Sequence, residues 1–174
     1  MSANVTEEAD PRIHRYIAWI SVALLVVAAD QVTKWAIVEW VPLYGKVPIN
    51  SFINLTHQRN SGAAFSFLAG ASGWQRWFFV TLATAVSGFI AHWLWRIRME
   101  GPIVLMAGLS LVLGGAVGNL IDRLRLGYVT DFFQVWFGNW AFPSFNVADA
   151  AISVGAALLI IDAFLLTGRK KKAL

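Results

Sequence analysis

The sequence predicts an α-helical integral membrane protein: four transmembrane helices with a small β-containing region and a loop on the outer side. Three observations predict it. Hydrophobic residues make up 57% of the 174 and charged residues only 14%, whereas a soluble domain is about 25% charged. Mean hydropathy is +0.59. Four runs approach the roughly 20 apolar residues a helix needs to cross the hydrocarbon core: about Tyr16 to Val38, Trp77 to Trp95, Pro102 to Ile121 and Val147 to Thr167.

Each run has its own signature. The first carries Asp30 and Lys34, the third is rich in Gly and Ala, and the fourth carries Asp149 and Asp162. The chain reads as a single membrane domain over residues 1–174, with outer segments 39–76 and 122–146 between the spans. In the first of these, short alternating runs such as Phe52 to His57 read as strands. The second is unusually aromatic, and its run Phe132 to Phe137 suits partial immersion at the membrane interface. The glycines of the third helix suit close helix contacts, or room for a bound chain.

Charge orients the helices. Arg12, Arg15, Arg96, Arg98 and Arg169 to Lys172 put eight basic residues on one side. Lys46, Arg59, Arg76, Arg123 and Arg125 put five on the other, over longer loops. The positive-inside rule then makes both termini cytoplasmic. Trp19, Trp93 and Trp95 fall near the inner interface, and Trp35, Trp40, Trp74, Trp77, Trp136 and Trp140 near the outer one. Residues Arg12 to Asp30 also resemble a cleavable leader, with Val27 to Ala29 as a small-residue cleavage site. The acidic Glu7, Glu8 and Asp10 and the apolar residues resuming after Lys34 favour a retained span.

Composition also excludes chemistry. The net charge of +4 is scattered or terminal, so nucleic acid is not an expected partner. Cysteine is absent, which removes disulfides, thiolate nucleophiles and zinc–thiolate sites. No pair among His14, His57 and His92 has metal-ligand spacing. No metal site and no cofactor is expected, and neither a nucleophile motif nor a phosphate-binding loop is present.

Carboxylates remain, and they gather on the outer side. Asp30, Asp122, Asp131 and Asp149 lie there, while Asp162 lies about 20 Å further along its helix. Charges within spans are costly and mark function or structural pairing. Asp30 and Lys34, four residues apart, share a helix face and suit an ion pair. Asn119, Asp122 and Arg123 end the third helix, where Arg123 could serve the orphan carbonyls. Asn146 with Asp149 three residues on reads as an N-cap and an N3 acid. Asp131 and Asp149 begin and end one outer loop, so they can share a proton, one as base toward water and the other as acid. Asp149 at a helix start would be the more ionised member, and Asp131 would hold the proton. On the residues alone, a proton-coupled carrier using Asp30, Asp122 and Asp149, or a membrane scaffold, stays open beside a hydrolase.

Five motifs then match one family in order. They are Asp30-Gln-Val-Thr-Lys34, Asn60-Ser-Gly-Ala-Ala-Phe65, Gly114-Gly-Ala-Val-Gly-Asn-Leu-Ile-Asp-Arg123, Gly127-Tyr-Val-Thr-Asp-Phe132 and Phe142-Pro-Ser-Phe-Asn-Val-Ala-Asp149. The chain resembles lipoprotein signal peptidase (signal peptidase II), a bacterial membrane aspartic peptidase. The resemblance implies that Asp131 and Asp149 are catalytic. It implies that Asp30, Lys34, Asn60, Gly62, Asn119, Asp122, Arg123 and Asn146 bind substrate or support the site. The implied substrate is a prolipoprotein carrying diacylglyceryl on a cysteine, cut just before that cysteine. The implied place is the bacterial inner membrane, with the site at the periplasmic face, membrane lipids as partners and the chain acting as a monomer. The resemblance also requires the first span to be retained.

Overall fold

The computed structural model describes residues 11–62 and 73–166. Ala63 to Phe65 of the second motif, the acidic tail, Thr167 and the basic run Arg169 to Lys172 lie outside the described residues, as does the side chain of Arg12. The elements are α1 (Pro11–Trp40), β1 (Lys46–Pro48), β2 (Ile53–Asn60), α2 (Trp74–Arg96), α3 (Ile103–Arg125), β3 (Val129–Phe137), β4 (Trp140–Ala141) and α4 (Val147–Ile161). α1, α2, α3 and the helical run Val147–Phe164, which extends α4, are apolar and long enough to cross a membrane.

The helices exceed the predicted spans at several ends. α1 runs unbroken for 30 residues, through Ala29 and Asp30, about 45 Å of helix. α3 continues to Arg125, so Asp122 and Arg123 occupy its last turns rather than the outer segment. The fourth run is not one regular helix. α4 ends at Ile161 and a π-helical turn, Asp162–Leu166, follows, with Asp162 buried.

α3 is the central helix and packs against the other three. Its glycines make this possible. A Cβ on Gly114 would lie 2.6 Å from the Ala23 carbonyl oxygen and 2.7 Å from Val26 Cβ of α1. One on Gly115 would collide with the Ala148 carbonyl of α4. Of the two uses foreseen for these glycines, close packing accounts for them. Gly114→Leu is therefore expected to lose about 1–3 kcal/mol through overpacking, read as a lower unfolding midpoint in detergent. An unchanged midpoint would show that the α1–α3 contact can open without cost. Around this helix Ala23, Ile90, Leu94, Met106, Leu109 and Leu113 form the core.

The connectors α1–α2 and α3–α4 emerge at the same end and pair. Their strands form one antiparallel sheet in the order β1-β2-β3-β4. A second cluster of Ile37, Val41 and Phe132 ties the sheet to the end of α1. Here the aromatic run departs from expectation. Phe132 is buried against α1 while Phe137 is exposed, because the first residues of β3 are buried in the body of the protein and its far end projects from it. Trp35, Trp40, Trp74, Trp77 and Trp140 stand exposed at this end, the placement expected of an interfacial belt.

Candidate active site

The site grows from a charge cluster buried between α1 and α3. Asp30, Gln31 and Lys34 lie on one face of α1, and Asn119 and Asp122 on one face of α3, by helical spacing. Lys34 Nζ meets three acceptors: Asp30 Oδ2 at 2.8 Å, Asp122 Oδ2 at 3.0 Å and Asn119 Oδ1 at 2.9 Å. That uses all three of its donors. Asp30 and Lys34 form the predicted pair, and Asp122 makes it a triad.

Both carboxylates also accept from backbone. Asp30 Oδ1 accepts from the Ala148 N–H at 2.9 Å, and Asp122 Oδ2 accepts from the Thr130 N–H at 3.1 Å. Ala148 directly precedes Asp149, and Thr130 directly precedes Asp131. One buried cation thus holds the backbone leading into both aspartates.

Asp149 is placed by its own helix start. The Asn146 side chain accepts from the Asp149 N–H at 2.9 Å, and Asp149 Oδ2 accepts from the Asn146 N–H at 3.3 Å. This capping box is the one the sequence predicts. Asp149 Oδ1 accepts from Asn119 Nδ2 at 2.8 Å, whose amide is oriented by Lys34 on its oxygen.

Asp131 is placed by the sheet. β2 and β3 pair Gln58 with Asp131 and Asn60 with Val129, past an irregularity between Leu55 and Gln58. Asn60 then lies diagonal to Asp131 and donates Nδ2 to its Oδ2 at 3.0 Å. The Asn60 oxygen is occupied by the Gly62 N–H at 3.0 Å, which fixes the amide's orientation. Asp131 Oδ1 accepts from Asn146 Nδ2 at 2.7 Å, and the same nitrogen lies 3.2 Å from Asn119 Oδ1. Two asparagine amides therefore link the aspartates. The sequence favours the proton on Asp131; the fold gives that residue two donors of its own, which lessens the contrast with Asp149.

Asp131 lies outside the spans. Burial pushes its carboxyl up from 3.8 to about 7, and the Asp149 charge pushes the same way; Asn60, Asn146 and Lys34 oppose. Between those two values the folded protein keeps a proton that the unfolded chain has released. Raising pH through that window therefore favours unfolding. Stability in detergent is expected to fall as pH rises from about 4 to 7, and to fall less in Asp131→Asn. Equal slopes in the two proteins would show that this carboxyl is not linked to folding.

Both aspartates open onto a cleft of about 1060 Å³. Its wall includes Asn60, Gly62, Asn119 and Arg123 of the predicted residues. Arg123 donates to the Gly62 carbonyl at 3.0 Å and lies over the Phe79 ring, so it ties the end of α3 to the first outer segment and to α2 rather than capping its own helix.

The family model described as signal peptidase (SPase) II matches residues 22–165. The chain belongs to the signal peptidase II family. It is therefore a protease, and its four long apolar helices make it a multi-pass membrane protein. A lipoprotein signal peptidase of Acinetobacter baumannii is 46% identical over 90% of this chain and 88% of its own. One from Pseudoalteromonas atlantica is 47% identical over 84% and 87%. A solved bacterial membrane enzyme, determined by the in meso method at 2.3 Å resolution, superposes with a TM-score of 0.76 at 30% identity. That match covers 88% of this chain and 91% of the other.

Within this signal peptidase the predicted residues divide in two. Asp30, Lys34, Asp122 and Asn146 do not line the cleft; they hold the residues that do. All four are buried, and their contacts here are those of supporting residues. His57 is also buried, with Nδ1 2.9 Å from the Val41 carbonyl, and does not line the cleft. The sequence reading missed Gln31, which donates to Asp122 Oδ1 at 2.9 Å and reaches Asp30 Oδ2 and the Gly118 carbonyl at 3.2 Å each. Its signal was available: an amide inside an apolar run, next to Asp30.

Proposed function

We propose that the chain removes signal peptides from diacylglyceryl-modified prolipoproteins, cutting just before the lipidated cysteine with water activated between Asp131 and Asp149. The observation that supports this best is the convergence of those two carboxylates, from β3 and α4, on one cleft at one end of a membrane bundle. A lipid-anchored substrate stays in the bilayer, so its scissile bond must be met where spans end.

In this reading Asp149 is the ionised member. It takes a proton from water while Asp131, protonated, donates to the substrate carbonyl. Oxygen bonds to the carbonyl carbon and a tetrahedral intermediate forms. Collapse breaks the C–N bond: the proton held by Asp149 goes to the departing amine of the cysteine, and a hydroxyl of the intermediate returns a proton to Asp131 as the carboxyl product forms. The raised carboxyl of Asp131 suits the acid role. Asp149 suits the base role, since two N–H donors and the start of α4 favour its anion.

The decisive assay is cleavage of a diacylglyceryl-modified precursor peptide by purified protein in detergent, with the products sequenced. The expected product begins at the lipidated cysteine. A cut elsewhere, or equal cutting of the unlipidated peptide, would overturn the reading. The proposed location is the bacterial inner membrane, with both termini cytoplasmic and the sheet periplasmic, on the charge bias of the loops. Cysteines introduced at the exposed Ser51 and Asn139 are expected to label with impermeant reagents from the periplasmic side. Labelling only from the cytoplasm would reverse the orientation.

A further inference from the structure

The cleft is larger than the aspartates require, and its wall is of two kinds. On α4 it is lined by Ala150, Ile152 and Val154 with Ser153; on the sheet it is lined by Lys46, Gln58, Arg59 and Gln134 with Val129, and beyond β4 by Phe142 and Phe145. We propose that the sheet wall is a subsite for an acidic peptide segment, receiving the substrate residues that follow the cut bond and favouring carboxylate side chains among them. The proposal rests on the peptidase reading above.

Charge carries it first. Residues 41–62 and 126–146, which build the sheet and its connections, contain one acid, Asp131, against Lys46 and Arg59. Among the described residues no carboxylate lies within ion-pair distance of Lys46 or Arg59, whereas Lys34 has two. Arg123, the other cation on the wall, is held at the Gly62 carbonyl and faces Asp149, Asp131 and Asp122. The outer part of the cleft therefore presents uncompensated positive charge.

The two cations are also seated. Arg59 Cζ lies 4.6 Å from the centre of the Tyr128 ring, and Lys46 Nζ lies 5.0 Å from that of Trp136. Stacking limits the rotamers each must give up when an anion arrives. Gln58 and Gln134 stand beside them on the same wall, with amides that can donate to carboxylates or to peptide carbonyls.

Direction decides which part of a substrate meets this wall. The apolar wall belongs to a span, α4, and suits the portion held in the bilayer. The sheet lies beyond the ends of the spans, so the segment leaving toward water must pass over it. An anionic lipid headgroup would offer similar charge, but these cations line the cleft beside the aspartates rather than a helix face turned to lipid.

The test uses full-length protein in a neutral detergent. Three lipidated precursor peptides, identical through the cysteine, carry acidic, neutral or basic residues at the next two positions. Cleavage of the neutral peptide tests the peptidase reading by itself. The expected order of kcat/KM is acidic, neutral, basic, with about five- to tenfold between the extremes for two partly exposed charge pairs. The spread shrinks in ~0.5 M salt. In Lys46→Glu/Arg59→Glu the order reverses; Lys46→Gln alone narrows it. Each preference is a ratio within one enzyme, so a general loss of activity cancels. If the double variant does not fold, Lys46→Gln decides. Equal rates for the three peptides in the wild-type protein, or an order that the variants leave unchanged, overturn the proposal. Equal rates together with stimulation by anionic lipid that requires Lys46 and Arg59 would assign the wall to headgroups instead.

Discussion

Asp131→Ala and Asp149→Ala are each expected to lower cleavage of a lipidated precursor by about 10⁴-fold or more, the scale on which paired acid–base groups act. The double variant is expected to be little worse than either single one. The two groups serve one step: with the acid gone the base has no polarised carbonyl to drive water toward, and with the base gone the acid has no nucleophile to meet. Residues that act as a unit are not additive, so a product of the two losses would mean independent roles. The Asn variants add the polarity of the pair. Asn mimics a neutral acid, so Asp131→Asn is expected to disturb the fold less than Asp149→Asn, although both are inactive. The reason is local. Asp149 accepts from the Asn146 N–H and from Asn119 at the start of α4, where an anion is favoured. Asp131 also accepts two donors, but burial and the neighbouring charge raise its carboxyl to about 7. Unfolding midpoints in detergent give the order. A larger loss in Asp131→Asn would show that the helix start does not set which aspartate is charged. A folded and active Ala variant of either would remove it from the mechanism.

Lys34→Met is expected to cost more stability than any other single change away from the aspartates, about 3–5 kcal/mol. The ammonium is buried against Asp30, Asp122 and Asn119. Removing it leaves two carboxylates desolvated without a counter-ion, the expensive half of a buried ion pair. The damage also has an address. Asp30 and Asp122 hold the N–H groups of Ala148 and Thr130, and Asn119 holds Asp149. Activity is therefore expected to fall before the helices unfold, with precursor cleavage lost at temperatures where circular dichroism is still native. Asp122→Asn is the milder companion, since an amide oxygen can still accept from Thr130. Equal stability of Lys34→Met and the wild type would mean that the cluster contributes nothing net. Activity that is lost only together with helical signal would limit the cluster to a folding role.

Much of the site was legible in local spacing, and the reason is geometric. Asp30 and Lys34, and Asn119 with Asp122, lie on common helix faces because a helix repeats every 3.6 residues. The Asn146–Asp149 capping box is a contact within four residues, so sequence specifies it almost completely. Asn60 was found through the motif resemblance, while its reach to Asp131 was not legible. That reach depends on the β2–β3 register and on the irregularity between Leu55 and Gln58. How deeply each residue of the aromatic run from Phe132 to Phe137 is buried was not legible, because its residues look alike in sequence. Only packing on Ile37 and Val41 tells the buried start of the strand from its exposed end.

Sequence alone determined that this chain belongs in a membrane, because so few charges cannot keep so much apolar surface soluble. It also determined four spans, the clustering of carboxylates at one end, and the cap that orients Asp149. The tertiary structure decided that Lys34 joins Asp30 to Asp122 and so governs the approach to both aspartates. It decided that Asn146 and Asn119 link Asp131 to Asp149, and that Asp30, Lys34 and Asp122 lie behind the cleft rather than on it. The physical reason is range. Caps and helix faces are fixed by bonds a few residues long, whereas these contacts join residues 15 to 118 positions apart. They form only because Gly114, Gly115 and Gly118 let α1, α3 and α4 approach within van der Waals reach.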